Sequence, residues 1–260
     1  MSGRIMTMKS PEEFGKMEVA GACVAAVHAA VREAAVPGTS MKELDAIAAE
    51  VYKERNCRPS FLGYHGFPAT ICASPNHVIV HGIPDDYRLV EGDIVSIDAG
   101  AIYEGWHGDA AFTMAVGDVP DEVTNLLHVT EEGLWNGIAQ ARHGSRLGDV
   151  GHAIESTAIP HGYGVVREYI GHGIGRQMHE APEVPNYGVA GKGMKLKKGM
   201  ALAIEPMFNM GTAETKVLDD GWTVVTRDGK LSAHFEHTVA ITSNGPKVLT
   251  LAEPVLVAAG

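Results

Sequence analysis

Gly92–Thr113 reads GDIVSIDAGAIYEGWHGDAAFT, two apolar runs around a tight turn near Tyr103–Gly105. The pattern predicts a β-hairpin, with Gly105 supplying the backbone freedom the turn needs. Asp98 interrupts the first run and Asp109 the second. A turn centred between Tyr103 and Glu104 makes the two aspartates direct cross-strand partners. A turn shifted by one full residue leaves them diagonal but on one face, because side chains alternate with period two. Two carboxylates about 4 Å apart repel by roughly 4 kcal/mol at an effective dielectric near 20. Such a pair needs positive charge between its members, and a metal ion is the candidate.

The later chain repeats the anomaly. Glu205 sits in ALAIEPM, within a strand expected over Met200–Phe208. Glu236 sits in AHFEHTV, within a hairpin expected over Gly221–Ile241 that turns at Asp228-Gly229. Any one acid in an apolar strand is explained by an isolated ion pair, but no Lys or Arg lies beside these four. Two divalent cations would balance four carboxylates, as in two-metal hydrolytic sites with ions about 3.5–4 Å apart. His172, in IGHGIGR, is the best imidazole candidate, since flanking glycines let the backbone approach a ligand. His81 and His179 lie in the Gly-rich irregular stretches Ser60–Pro84 and Tyr163–Glu180, where they could donate to a substrate carbonyl. HGI recurs at 81–83 and 172–174. Of the other ten histidines, His28, His128, His143, His152 and His161 read as bland. His65, His77, His107, His234 and His237 stay undecided.

Helices flank these segments. Ser10–Glu13 (SPEE) combines a cap, a proline at the first helical position and a capping box. The helix it opens should run to about Ala35, with Val19, Cys23, Val27 and Ala30 buried. Ser40 with Glu43 opens a second helix, through Arg55. Asp121–Arg142 and Gly144–Ser156 are the next pair. Aligning Gly38 with Gly144 sets Met41 on Leu147, while aligning Gly92 with Gly199 sets Asp98 on Glu205. Helix, helix and acidic strand thus occur twice, nearly in phase. The pattern predicts an α+β fold of two similar halves (about 10–118 and 119–250) meeting about a pseudo-twofold axis. They form one curved, mainly antiparallel sheet with helices outside, a single domain over 1–251 followed by a C-terminal tail, 252–260.

Composition narrows the function classes. The net charge of −11 and the absence of a basic stripe argue against nucleic-acid specificity. Lys192–Lys198 (KGMKLKK) reads as a solvated loop. Three cysteines without zinc or disulfide spacing suggest a reducing compartment. No signal-peptide core opens the chain, and no run is expected to approach membrane-spanning length, so a cytoplasmic protein is expected.

IDAG with Asp98, WHGDAA with Asp109, GHGIGRQMHE with His172 and His179, AIEPM with Glu205 and FEHTVAI with Glu236 together resemble a methionine aminopeptidase of type I. The ordered set spans essentially the whole chain and is far more specific than any one motif. The resemblance implies the duplicated pita-bread fold. It also implies removal of N-terminal methionine from nascent proteins and peptides with a small second residue, by attack of a metal-bridged water. It assigns Asp98, Asp109, His172, Glu205 and Glu236 to a dinuclear centre of Co, Mn, Fe or Zn. His81, His179 and Glu205 become the catalytic groups. Phe61, Tyr64, Phe67, Cys72, His81, Met178 and Trp222 become the methionine pocket, with aromatic and sulfur contacts that suit a thioether. Met178 stands where an aromatic is frequent in the family, and Phe61 where a small cysteine often occurs. Asn76, Val78 and Ser232 match a monovalent-cation site. His172 and Glu205 stand only 33 positions apart, too few for the insert typical of type II. About ten residues precede the first helix, as in the short bacterial form. A monomer is expected, with the ribosome a candidate partner. Rival readings are a proline-specific exopeptidase on the same fold, usually carrying an extra N-terminal domain, and a dead relative kept as a binding protein.

Overall fold

The computed structural model describes residues 5–257. Both expected capping boxes form. Ser10 Oγ accepts from Glu13 N and Glu13 reaches back to Ser10 N, opening α1 (Pro11–Ala34); Ser40 and Glu43 do the same for α2 (Met41–Glu54). The second helix pair is α3 (Asp121–Gln140) and α4 (Leu147–Ala158).

The buried face of α1 is rotated from the expected one. Ala20, Val24, Val27 and Val31 are buried with Cys23, whereas Val19 is 43% exposed and Ala30 half-buried. Gly21 explains the rotation. A Cβ there would come within 2.0 Å of Leu249 O, and one on Gly108 within 2.9 Å of Gly21 N. The helix therefore sits on the sheet through its smallest residue. With 24 residues rich in Ala, Val and Gly, α1 also has the length and composition of a membrane span, contrary to expectation; here its apolar side packs on the hairpin and α2.

Among the described residues ten strands form the main sheet, and every pairing in it is antiparallel. Its central order is Ile94–Tyr103, Trp106–Ala115, Glu236–Thr242, Ala201–Ile204, Gly171–Gly173, Glu180–Val184, so the strands of both halves join side by side. The hairpin forms with a shifted turn. Glu104 and Gly105 both have positive φ (48° and 80°), a two-residue turn that pairs Tyr103 with Trp106. Asp98 then faces Ala111 and Asp109 faces Gly100. The aspartates are diagonal neighbours, not direct partners.

Two other expectations change. The Met200–Phe208 strand splits into Ala201–Ile204 and Met207–Asn209, which lie in different sheets. Pro206 has no N–H to continue a ladder, so Glu205 stands just past a strand end. Gly221–Ile241 is no hairpin: Val224–Thr226 pairs with Thr215–Val217 and Val78–Val80, while Ser232–His234 pairs with Met207–Asn209. The tail is also more than a tail, since Val255–Leu256 pairs with Gly245–Val248; residues 258–260 lie outside the described residues.

One buried ion pair ties the N-terminal segment to the site-bearing stretch. Lys9 Nζ lies 2.8 Å from Glu180 Oε2, with both side chains 1% exposed. Thr7 Oγ1 donates to the same oxygen at 2.6 Å, and Arg176 N and Gln177 N donate to Oε1. Removing one partner strands a buried charge. Lys9→Met is therefore expected to lower unfolding stability by about 3–5 kcal/mol, read by urea titration. A loss below about 1 kcal/mol, the worth of an exposed pair, would contradict this.

Candidate active site and metal centre

Backbone register gathers the acids. Ala111 stands opposite Asp98 on one side and Glu236 on the other, and Asp109 lies two residues along the same strand. Ala203 likewise stands opposite both His172 and Thr238. Glu205 is two residues beyond Ala203, and Glu236 two before Thr238. Alternation with period two aims all five side chains to one side of the sheet. Thr238 locks the seam between the halves: its Oγ1 accepts from Asp109 N at 2.9 Å and donates to Asp109 O at 2.8 Å. The Glu205 carbonyl accepts from Nδ2 of the fully buried Asn186 at 3.0 Å.

His172 Nδ1 donates to Gly173 O at 2.9 Å. That fixes the tautomer and leaves Nε2 as the lone-pair nitrogen. Nε2 lies 3.6 Å from Glu205 Oε1 and 3.9 Å from Asp109 Oδ2. These spacings exceed a hydrogen bond, yet suit donors about 2.1 Å from one shared ion. Asp109, His172 and Glu236 bring three ligand atoms within 4.8 Å of one another, as do Glu205, His234 and Glu236.

Electrostatics demand a cation here. Burial pushes the Asp98 carboxyl up to about 7. Asp109 is held well above its ordinary range by burial and then by Glu236 and Asp98. Glu205 is raised by burial and the charges of Asp109 and Asp98, and Glu236 by burial and those of Glu205 and Asp98. Asp98 Oδ1, Asp109 Oδ1 and Glu236 Oε1 are buried without a hydrogen-bond partner among the described residues. Orphaned carboxylate oxygens beside an imidazole lone pair fit divalent ions.

The acids form one wall of a cavity of about 130 Å³, with Phe61, Tyr64, Phe67, Cys72, His81, Met178, His179 and Trp222 completing it. The volume resembles the ~150 Å³ apolar cavities that accept a benzene ring, so it takes one side chain. Phe67 packs edge-on to Phe61 and Trp222, and Cys72 and Met178 join the same cluster. His179 Nδ1 is 2.7 Å from Tyr64 Oη, and its ring lies 4.2 Å from that of His172. His81 carries a positive φ of 60°, rare outside glycine and concentrated at functional positions. Burial lowers its imidazole to about 4, so it is neutral near pH 7.

The model of metallopeptidase family M24 matches residues 15–243. Methionine aminopeptidase 1 of Mycobacterium tuberculosis is 52% identical, covering 95% of this chain and 96% of that protein. The methionine aminopeptidase of Clostridium acetobutylicum is 49% identical over 96% of this chain and all of its own. The crystal structure of methionine aminopeptidase from Thermotoga maritima superposes with a TM-score of 0.93 at 45% identity, covering 95% of this chain and 100% of that one. The chain belongs to the methionine aminopeptidases of metallopeptidase family M24. It is a metal-dependent aminopeptidase, a hydrolase with the curved pita-bread fold.

Within this aminopeptidase every residue expected at the metal centre or the methionine pocket lies on the one cavity. The three residues expected around a monovalent cation lie elsewhere. Asn76 O accepts from Ser232 N at 3.0 Å, the Asn76 side chain is engaged by Asp93 and Ile94 N, and Ser232 Oγ is buried without a partner among the described residues. Val78 pairs with Val225 on a neighbouring strand. Of the undecided histidines, His107 bonds to Ser60 and His237 to Thr250, each at 2.9 Å; only His234 reaches the acids. Thr238 and Asn186, which hold Asp109 and Glu205, had no sequence signal, because threonine and asparagine in such runs are ordinary.

Proposed function

We propose that this chain removes the N-terminal methionine from peptides and nascent proteins, favouring a small second residue. In this reading Asp98, Asp109, His172, Glu205 and Glu236 hold two divalent ions. The observation that carries the reading is a single-side-chain cavity with an apolar, sulfur-bearing wall facing four acids, Asp109 and Glu236 buried and Asp98 and Glu205 partly buried. Oxygen-rich ligation with one imidazole favours Mn, Fe or Co, with Zn also accommodated. When bound, such ions supply Lewis acidity and an acidified water. The chain's own groups do the rest. The Glu205 carboxylate accepts the proton of the attacking water. With Tyr64 Oη donating to Nδ1, His179 carries its proton on Nε2 and donates it towards the carbonyl oxygen as negative charge develops there. His81 contacts the scissile nitrogen, which leaves as the free amine on taking the proton that Glu205 accepted. Phe61, Phe67, Met178 and Trp222 enclose the thioether and exclude water, with Cys72 beside them.

The main-chain oxygens of Asn76, Val78 and Ser232 are our candidates for a monovalent cation. The chain acts as a monomer in the cytoplasm, on chains leaving the ribosome. One chain supplies the whole cavity, and Cys23, Cys57 and Cys72 are free thiols.

The acidic wall favours a free α-amine. N-formyl-Met-Ala-Ser is expected to stay intact where Met-Ala-Ser is cut, followed by release of free methionine. Turnover of the formylated peptide by pure protein would sink the assignment. Xaa-Pro peptides lacking methionine are expected to remain uncut, and preferential cleavage of them would favour the proline-specific reading.

A further inference from the structure

His234 is a buried imidazole that the five assigned ligands leave unused. It is 2% exposed, and its Nε2 has no hydrogen-bond partner among the described residues. Nε2 lies 3.9 Å from Glu236 Oε2, and with Glu205 the three residues place ligand atoms within 4.8 Å of one another. The spacing matches that of His172 from Asp109 Oδ2, also 3.9 Å. At that distance no hydrogen bond forms. Two donors about 2.1 Å from one ion stand at most ~4.2 Å apart, so the pair fits a shared ion. The backbone is locked for the purpose: His234 N donates to Thr113 Oγ1 at 2.8 Å, and Thr113 Oγ1 donates to His234 O at 2.8 Å. Phe235 separates the Ser232–His234 strand from Glu236–Thr242, so the two ligands come from different sheets.

We propose that His234 Nε2 is a further metal ligand, binding a divalent ion jointly with Glu205 and Glu236. The ion class shifts accordingly. A second imidazole favours Co, Fe(II) and Zn over Mn. The inference rests on the metallopeptidase reading, but its test needs no peptide.

The test is titration of metal-free protein with Co(II), comparing the wild type with His234→Ala and His234→Gln by calorimetry and visible absorption. Both variants are expected to bind one of two ions at least about tenfold more weakly, with altered d–d bands and unchanged circular dichroism. In case neither variant folds, proton NMR of the Co(II)-loaded wild type is the second measurement. It should show strongly shifted ring protons from two bound histidines. Unchanged affinity and bands in the variants, or one bound histidine in the wild type, overturns the proposal. Intact Co(II) binding without methionine release would overturn the proposed reaction and leave this ligand assignment standing.

Discussion

Asp109→Asn is expected to lower methionine release at least about a thousand-fold, equivalent to about 4 kcal/mol of barrier, while making the metal-free protein more stable. The two effects share one cause. Asp109 is 3% exposed, diagonal to Asp98, and raised by burial and by the charges of Glu236 and Asp98. Asparagine keeps the shape and leaves the backbone bonds to Thr238 intact. It removes a group that burial and the neighbouring acids keep from its ordinary charged form in metal-free protein, and with it an anionic ligand the proposed ions need. Metal stoichiometry, kcat/KM and Tm of the metal-free variant near pH 8 check the prediction together. Wild-type activity, or a fall in that Tm, would contradict it, because a structural carboxylate would show the opposite pattern.

Metal-stripped protein is expected to lose stability as pH rises above about 6.5, and divalent ions to restore it. The site carboxyls are raised in the folded state, Asp98 to about 7, and Asp109, Glu205 and Glu236 well above their ordinary range. A raised group contributes stability that is complete below its unfolded value, near 4, and lost as pH rises through the folded value. Buried histidines act in the opposite sense. His28 and His234 are lowered by burial to about 3, and His81, His107 and His237 to about 4. Their contribution is complete above the unfolded value, near 6.5, and lost as pH falls. Between about 4 and 6.5 the two sets oppose each other. Above 6.5 only the carboxyls remain, each still-protonated one contributing a slope of about 1.4 kcal/mol per pH unit. Urea unfolding from pH 6.5 to 8.5, with and without metal, reads this directly. A flat metal-free profile would mean the acids are not crowded as described.

The acids were legible because a carboxylate in an apolar strand is conspicuous, and four of them without a base pointed to cations. Which acid faces which was not. Glu104 is a non-glycine residue that takes a positive φ of 48°, and that choice moved the hairpin register by a residue without moving Asp98 and Asp109 off one face. Around Glu205 the apolar run hid a sheet boundary that Pro206 marks. The turn at Asp228-Gly229 suggested a hairpin, but strands on either side pair with other segments. Local pattern finds strands; pairing partners far along the chain decide sheets. The seat of α1 was missed for a similar reason, since Gly21 has no side chain to register in an apolar periodicity.

The central claim is best tested by release of free methionine from Met-Ala-Ser, using metal-stripped protein with Co, Mn, Fe(II) or Zn added back. His172→Ala and Glu205→Ala would run alongside. Metal-dependent release by the wild type, lost in both variants, is the result this account predicts. Release that persists in either variant, or none with any ion, would contradict it.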